Sequence, residues 1–354
     1  MIMRDPGDRW SSYHLYYHED LDRAVIGFVL PTVLSVVSSG WIDRFFFIRY
    51  QLGGPHVRLR LRVASELQDV VDQTVRQQAK QFLESTPSAQ SRDEEVIRKV
   101  NRAILAADPS ETDETVYSDN TLLRFPFLPE VQRYGGPGLL KPSLDFFVIS
   151  SVEALCFLRE NPTMTPSRRL TAAAHFLSRQ ALGFSSDVDE LLSLYTYATE
   201  TWGEAFPSIL ERADEVFLRQ QRLFFDIVRQ ELDQSLLSTP DPATSPLLSE
   251  AALRLSSALL GSTRSTRHRI GGSHLHMLAN RLGLSNPEEL YLGRQLTLTL
   301  QNIQTSDPKL WSVAQDALAR RAATPNEDRR SVADLLPRAL GELERAPSHD
   351  CFAR

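Results

Sequence analysis

Residues 44–63 read R-F-F-F-I-R-Y-Q-L-G-G-P-H-V-R-L-R-L-R-V and hold a regularly spaced set of groups able to grip an anion. Val57, Leu59, Leu61 and Val63 alternate with His56, Arg58, Arg60 and Arg62, the period-two pattern of a half-buried strand. Side chains on one face of a strand recur every ~7 Å, so three guanidiniums and an imidazole stand in a row with no acid between them. Such a row suits bidentate contacts to carboxylate or phosphate. The same alternation also describes the solvated outer face of an antiparallel sheet.

Two further stretches carry polar groups at usable spacings. In P-E-V-Q-R-Y-G-G, Glu130, Arg133 and Tyr134 fall on a segment too rich in Pro and Gly for a helix, which reads either as a loop-borne site or as a tight turn. In G-G-S-H-L-H-M-L-A-N-R-L, Gly271 and Gly272 are expected to open a helix after a basic loop at residues 264–269. His274 and His276 would then lie in its first turn, where free backbone N–H groups favour anions. His276 and Asn280 share one helix face, and His274 and Arg281 another. Histidines near a helix start are also common as plain polar surface.

The elements that must position these groups follow from periodicity. An aromatic first arm, residues 41–50, pairs with the arginine strand as a β-hairpin closed by the Gly53-Gly54 loop. Residues 10–18 alternate as another strand that would leave His14 and His18 on the surface. Residues 19–39 form an amphipathic helix, kinked at Pro31 and ended by Gly40, and Leu67, Val70, Val71, Phe82 and Leu83 mark a second. The sum is an α+β fold, an antiparallel sheet with helices packed on it, followed by a mainly helical C-terminal half. In that half Ser143 caps a helix running to Glu160, Ser167 caps the next, Asp187 with Glu190 opens a third, and Pro207 starts a long fourth. Residues 108–114 read as an acidic loop and residues 239–246, with three prolines, as a linker. Residues 1–322 are expected to form the domain, with residues 323–354 a charged, peripheral tail.

Composition narrows the function classes. With 354 residues, 42% of them hydrophobic, the chain can bury a full core. No apolar run approaches the ~18 residues needed to span a bilayer and the N-terminus lacks a signal-peptide core, so membrane attachment is not expected. The net charge of -6 argues against a phosphate-tracking surface, hence against direct nucleic-acid binding. Cys156 and Cys351 alone cannot build a disulfide framework, and a reducing cytoplasm fits. Nucleotide, serine-hydrolase and zinc motifs are absent, so neither a metal nor a cofactor is expected.

Taken in order, F-F-F-I-R-Y with P-H-V-R-L-R-L, then P-E-V-Q-R-Y-G-G, then H-L-H-M-L-A-N-R-L resemble the C-terminal elimination domain of lantibiotic dehydratases. The same domain is called the thiopeptide-type bacteriocin biosynthesis domain, and the resemblance covers residues 10–292. Full-length members carry a larger N-terminal domain that uses glutamyl-tRNA to esterify Ser and Thr of a precursor peptide, so the resemblance here is to the separate, split form. It implies β-elimination of glutamate from a glutamylated Ser or Thr, giving dehydroalanine or dehydrobutyrine. By motif, His276 takes the acid/base role, while Arg49 and Arg58 hold the glutamyl group as it leaves. Arg60, His56, Glu130, Arg133, Tyr134, Asn280 and Arg281 become substrate-binding residues. A general base must take the Cα proton while the departing carboxylate is stabilised, and an imidazole with guanidiniums is suited to both.

The alternative within the same family is an enzyme that forms a six-membered nitrogen heterocycle from two dehydroalanines and expels the leader peptide. A third reading is a non-catalytic peptide-binding module. Partners implied are a ribosomal precursor peptide, leader plus core, a separate glutamyl-tRNA-dependent glutamylating protein, and a second copy in a homodimer. For catalysis, the hairpin, the R-Y-G-G turn and the His276 helix are expected to line one pocket.

Overall fold

A computed structural model describes residues 8–107, 113–234, 247–323 and 331–345. Most of the expected acidic loop, the whole of the Pro-rich linker, Cys351 and all of the tail past residue 323 except residues 331–345 lie outside the described residues. Two compact units divide the chain: Met1–Pro129 with Ser151–Pro162 and Leu340–Arg354, and Glu130–Ser150 with Thr163–Ala339.

The first unit is built on a four-stranded antiparallel sheet of β1 (Asp8–Tyr16), β2 (Ile42–Tyr50), β3 (His56–Ala64) and β4 (Thr121–Pro126), in the order β2-β3-β1-β4. The hairpin is as read from the sequence. Strand β4 is not, because T-L-L-R-F-P lacks alternation and ends in proline, which only an edge strand tolerates. Phe45, Phe47, Leu15, Val57, Leu59 and Leu61 form one fully buried face. On it pack α1 (Leu21–Ala24), α2 (Leu30–Ser38) and α3 (Gln68–Ser85), with α4 (Glu94–Ala107) following. Each such side chain withdrawn from water contributes about 1.5–3 kcal/mol.

The predicted kink at Pro31 takes the form of one wide π turn, Val25–Val29, between α1 and α2. Proline has no N–H for the carbonyl four residues back, and the widened turn absorbs the missing bond. Gly40, at φ 68°, ends α2 as expected. Against the expectation of no membrane-length apolar run, Leu21–Ser38 is by length and composition apolar enough to cross a bilayer, and half of it is buried in the fold. Also corrected are His14 and His18, expected outside, which are 7% and 4% exposed. The arginine-bearing face of the sheet is itself covered, with His56, Phe46 and Tyr16 at 0–2%.

The second unit is helical: most of α5 (Pro137–Glu160), then α6 (Pro166–Phe184), α7 (Val188–Trp202), α8 (Pro207–Leu232), α9 (Leu247–Ala258), α10 (Arg264–Arg281), α11 (Asn286–Ser306), α12 (Pro308–Ala323) and the start of α13 (Leu336–Glu344). Asp187 caps α7 and Pro207 opens α8 as predicted. Helix α5 starts before Ser143, at Pro137, and carries Pro142 inside, while Thr165 rather than Ser167 caps α6. Val332, Leu335, Ala339 and Leu343 are buried, so the stretch read as peripheral supplies core.

The largest correction concerns α10. Thr263 caps it, its Oγ1 accepting from the Thr266 N–H at 3.2 Å, so the basic run at residues 264–269 is helix and not loop. Its charges meet acids on and around α7: Arg264 with Asp187 at 3.2 Å, Arg267 with Glu190 at 2.9 Å and His268 with Glu200 at 2.8 Å. Gly271 and Gly272 lie mid-helix. A Cβ on Gly272 would come within 2.1 Å of the Tyr197 ring, and one on Gly271 within 2.8 Å of Leu194. The pair exists to let α7 and α10 approach, at a propensity cost of about 1 kcal/mol per glycine. His274 and His276 therefore sit deep in the helix, with no first-turn N–H groups beside them.

Candidate active site

Strand pairing decides where each hairpin arginine stands. Arg58 is directly opposite Ile48 and His14, and Arg60 opposite Phe46 and Ser12, all on one face. Arg49 is opposite Val57, hence on the other face, where Nη2 meets Asp22 Oδ1 of α1 at 2.6 Å. The row is also less uniform than its sequence suggests. Arg62 is held by Asp43 through Nε at 3.2 Å and Nη2 at 2.7 Å. The Arg58 guanidinium lies 3.7 Å over the Tyr50 ring, and Arg60 lies against the rings of Phe46 and Phe127, 5.2 and 4.9 Å from their centroids.

Arg58 Nε donates to His56 Nε2 at 3.0 Å, and an arginine N–H can only donate. His56 must then carry its proton on Nδ1, which gives it to the Gly54 carbonyl at 2.8 Å. Complete burial and the Arg58 charge press the His56 pKa down to about 3. His14, stacked on His56 at 5.1 Å between ring centroids, is likewise held far below the ordinary histidine range by burial and then by its neighbours' charge. Both are neutral props. His56 aims Arg58 and has no free nitrogen for proton transfer.

In the second unit the turn after Glu130 is fixed by Arg269, whose Nη1 donates to the carbonyls of Gln132 and Arg133 at 3.1 and 2.8 Å. Gly135 and Gly136, at φ 86° and 90°, make the tight turn foreseen as one of two readings. Arg133 pairs with Glu130 at 2.9 Å and donates from Nε to Ser273 Oγ at 3.2 Å; Tyr197 Oη lies 3.4 Å from the same oxygen. Three residues along α10, His276 Nδ1 meets Glu289 Oε2 of α11 at 2.7 Å. The carboxylate accepts, so Nδ1 carries a proton, and in the neutral ring Nε2 presents a lone pair. Glu289 is 5% exposed. Ser273, His276 and Asn280 fall at i, i+3 and i+7, one stripe of the helix.

His274 and Arg281 share the other face, as the spacing implied, and both are fully buried. The His274 ring is enclosed by Tyr134, Phe146, Phe147 and Phe184, and neither nitrogen has a partner. Burial, with Arg281 and Arg133 adding to it, drives its pKa well below the usual value, and burial drives that of Tyr134 up. The Arg281 guanidinium sits 4.8 Å over Phe147.

The structure thus brings Glu130 and Arg133 to Ser273, groups Tyr134, His274 and Arg281 in an aromatic core, and sets His56 under Arg58. It does not bring Arg49 to Arg58. Sequence reasoning missed Ser273, Tyr197 and Glu289. The i, i+3 spacing of Ser273 and His276 could have flagged the first, but nothing local marks the other two. Among the described residues no three His, Cys, Asp or Glu side chains cluster to hold a metal ion. Chemically, the stripe offers a carboxylate-oriented imidazole beside a hydroxyl pair backed by a guanidinium, a set fitted to move protons and hydrogen-bond a polarised carbonyl.

A family model described as lantibiotic biosynthesis dehydratase C-term matches residues 10–300. No curated protein sequence matches the chain. Among solved structures, the fold resembles the pyridine synthase TbtD from thiomuracin biosynthesis, at 18% identity and TM-score 0.68, covering 84% of this chain and 98% of TbtD. It also resembles TsrL, at 14% identity and TM-score 0.58, covering 88% of this chain and 99% of TsrL. The tRNA-dependent lantibiotic dehydratase MibB from Microbispora sp. 107891 aligns at 18% identity and TM-score 0.54, covering 87% of this chain and 29% of MibB.

Proposed function

The chain belongs to the lantibiotic biosynthesis dehydratase C-terminal family, and on that premise we propose that it modifies a ribosomally made precursor peptide by forming a six-membered nitrogen heterocycle from two dehydroalanines. The observation that carries this choice is the register of the hairpin. Arg49 and Arg58 stand on opposite faces of the sheet, and Arg49 is tied to Asp22. A departing glutamate carboxylate calls for converging guanidiniums, and the hairpin does not supply a convergent pair from these two.

Ring formation makes no such demand. An amide must shift a proton to its oxygen before its C=N unit can join the second alkene. Water is then lost, and the leader leaves through its amide nitrogen as the ring becomes aromatic. The tautomerisation moves a proton from nitrogen to oxygen, and each of the two later losses puts a proton on the leaving oxygen or nitrogen and takes one from the ring; no carboxylate departs. His276, oriented by Glu289, is the proton-transfer group in this reading; Ser273, supported by Arg133 and Tyr197, hydrogen-bonds the amide oxygen as it polarises. Arg58, Arg60 and Asn280 bind the peptide, and no cofactor takes part. Likeness in fold and extent to TbtD, itself named a pyridine synthase, supports the same reading.

Glutamate elimination is the second reading, favoured by His276 Nε2, whose lone pair would equally serve to take a Cα proton. In that case a separate glutamyl-tRNA-dependent protein supplies the substrate. Either activity places the protein where precursor peptides are made, in the cytoplasm. Mass spectrometry on two substrates tests the choice. A peptide carrying two dehydroalanines should give a cyclised core and a detached leader, and a glutamylated peptide should be returned intact. Release of free glutamate, with the dehydrated peptide untouched, would reverse the assignment.

A further inference from the structure

We propose that the open edge of β4 is a docking strand for an extended, apolar segment of the peptide substrate, which adds to the sheet as a fifth strand. The inference rests on the peptide-substrate reading above and adds where the peptide is held. Its basis is main-chain direction. Tyr17 N donates to Pro55 O at 3.0 Å, one residue beyond the Tyr16–His56 pair, so the β1–β3 ladder runs through Tyr17, Leu15 and Tyr13. Alternate residues of a strand turn their main chain to opposite sides, so Ser12, His14 and Tyr16 bond β4 through their partners Phe125, Leu123 and Thr121.

The N–H and C=O groups of Leu122 and Arg124 then point away from the sheet, and among the described residues nothing pairs with them. The same reasoning puts the Phe47 N–H at the opposite edge, on β2, where the Ser151 hydroxyl accepts it at 3.3 Å. Among the described residues, one edge is thus covered and the other open. Exposed edges of this kind are ordinarily blunted or paired.

Beside the open edge lies a groove of about 380 Å³ lined by Arg76, Ala79, Lys80, Leu83 and Glu84 of α3 and by Leu122 of β4. Its floor is apolar. Its charges are already matched, Arg76 with Asp72 at 2.7 Å and Lys80 with Glu84 at 3.8 Å, so the rim selects neither an acidic nor a basic ligand. An extended peptide fits both features: its main chain pairs with Leu122 and Arg124, and alternate apolar side chains enter the groove.

The test uses a capped heptapeptide of alternating Thr and Val as probe, with two further versions N-methylated along one edge or the other, titrated into the full chain. The parent should bind and slow amide exchange at Leu122 and Arg124. Methylation along one edge should abolish binding and along the other leave it unchanged. Leu122→Pro removes an outward N–H while the β1 ladder persists, and should weaken binding at least tenfold. Leu83→Glu, which charges the groove floor, should do the same and serves if the proline variant does not fold. Equal binding by wild type and variants, tolerance of methylation on both edges, or concentration-dependent self-association that Leu122→Pro abolishes would overturn the proposal. If both variants still cyclise a dehydrated peptide as wild type does, the docking claim falls and the functional reading stands.

Discussion

Glu289 Oε2 accepts from Nδ1 of His276 at 2.7 Å, across two helices that neither residue's neighbours in sequence would lead one to pair. The carboxylate sets which ring nitrogen carries the proton, and so which one is available to substrate. Glu289→Gln can orient the ring the wrong way round by donating to Nδ1. It should lower kcat by about 10- to 100-fold with KM little changed and shift the pH–rate profile, whereas Glu289→Asp should recover part of the rate. A pH profile identical to wild type would reduce Glu289 to a packing role.

Tyr197→Phe deletes only the hydroxyl that lies 3.4 Å from Ser273 Oγ. Ring packing against Gly272 is kept, so stability should hold within about 0.5 kcal/mol while kcat falls. Gly272→Ala reverses the pattern. A methyl 2.1 Å from that ring must drive α7 and α10 apart, costing about 1–3 kcal/mol in denaturant unfolding.

Arg49 and Asp22 should behave as a structural pair, both largely withdrawn from solvent. Arg49→Ala and Asp22→Asn should each destabilise by about 1.5–3 kcal/mol, and the double variant by less than the sum. Full stability of Arg49→Ala with activity abolished would instead make Arg49 a ligand for substrate.

His14, His56 and His274 are buried and neutral, each with its pKa lowered from 6.5. Unfolding frees them to take protons below that value, so their contribution is complete above pH 6.5 and is lost as the pH falls toward each folded value, about 3 for His56. With one proton each, the slope reaches about 4 kcal/mol per pH unit. Urea midpoints at pH 7.5, 6.0 and 5.0 should drop steeply, and His274→Phe, which removes an imidazole lacking partners, should flatten the curve.

The sequence yields those parts of the molecule whose signal is local. Alternation from His56 to Val63 gives the hairpin, Pro31 and Gly40 give the kink and end of the first helix, and Asp187 and Pro207 give two helix starts. What it misses depends on partners distant in the chain. Gly271 and Gly272 look like a helix breaker until Tyr197 and Leu194 are seen against them, so α10 is cut in half and its histidines are placed at a terminus that does not exist. His14 reads as surface because a polar residue on an alternating strand normally is, and only the covering of that face by other rings buries it. The opposite-face placement of Arg49 and Arg58 follows from register across a loop, which composition cannot supply.

The claim that His276 and Ser273 run the chemistry is tested most directly by His276→Ala in the ring-forming assay, with peptide affinity measured alongside. A general acid/base group acts in the transition state, so turnover should fall by about 10²- to 10⁴-fold while the Kd for peptide stays within about twofold. A folded His276→Ala protein that cyclises peptide at the wild-type rate would contradict it.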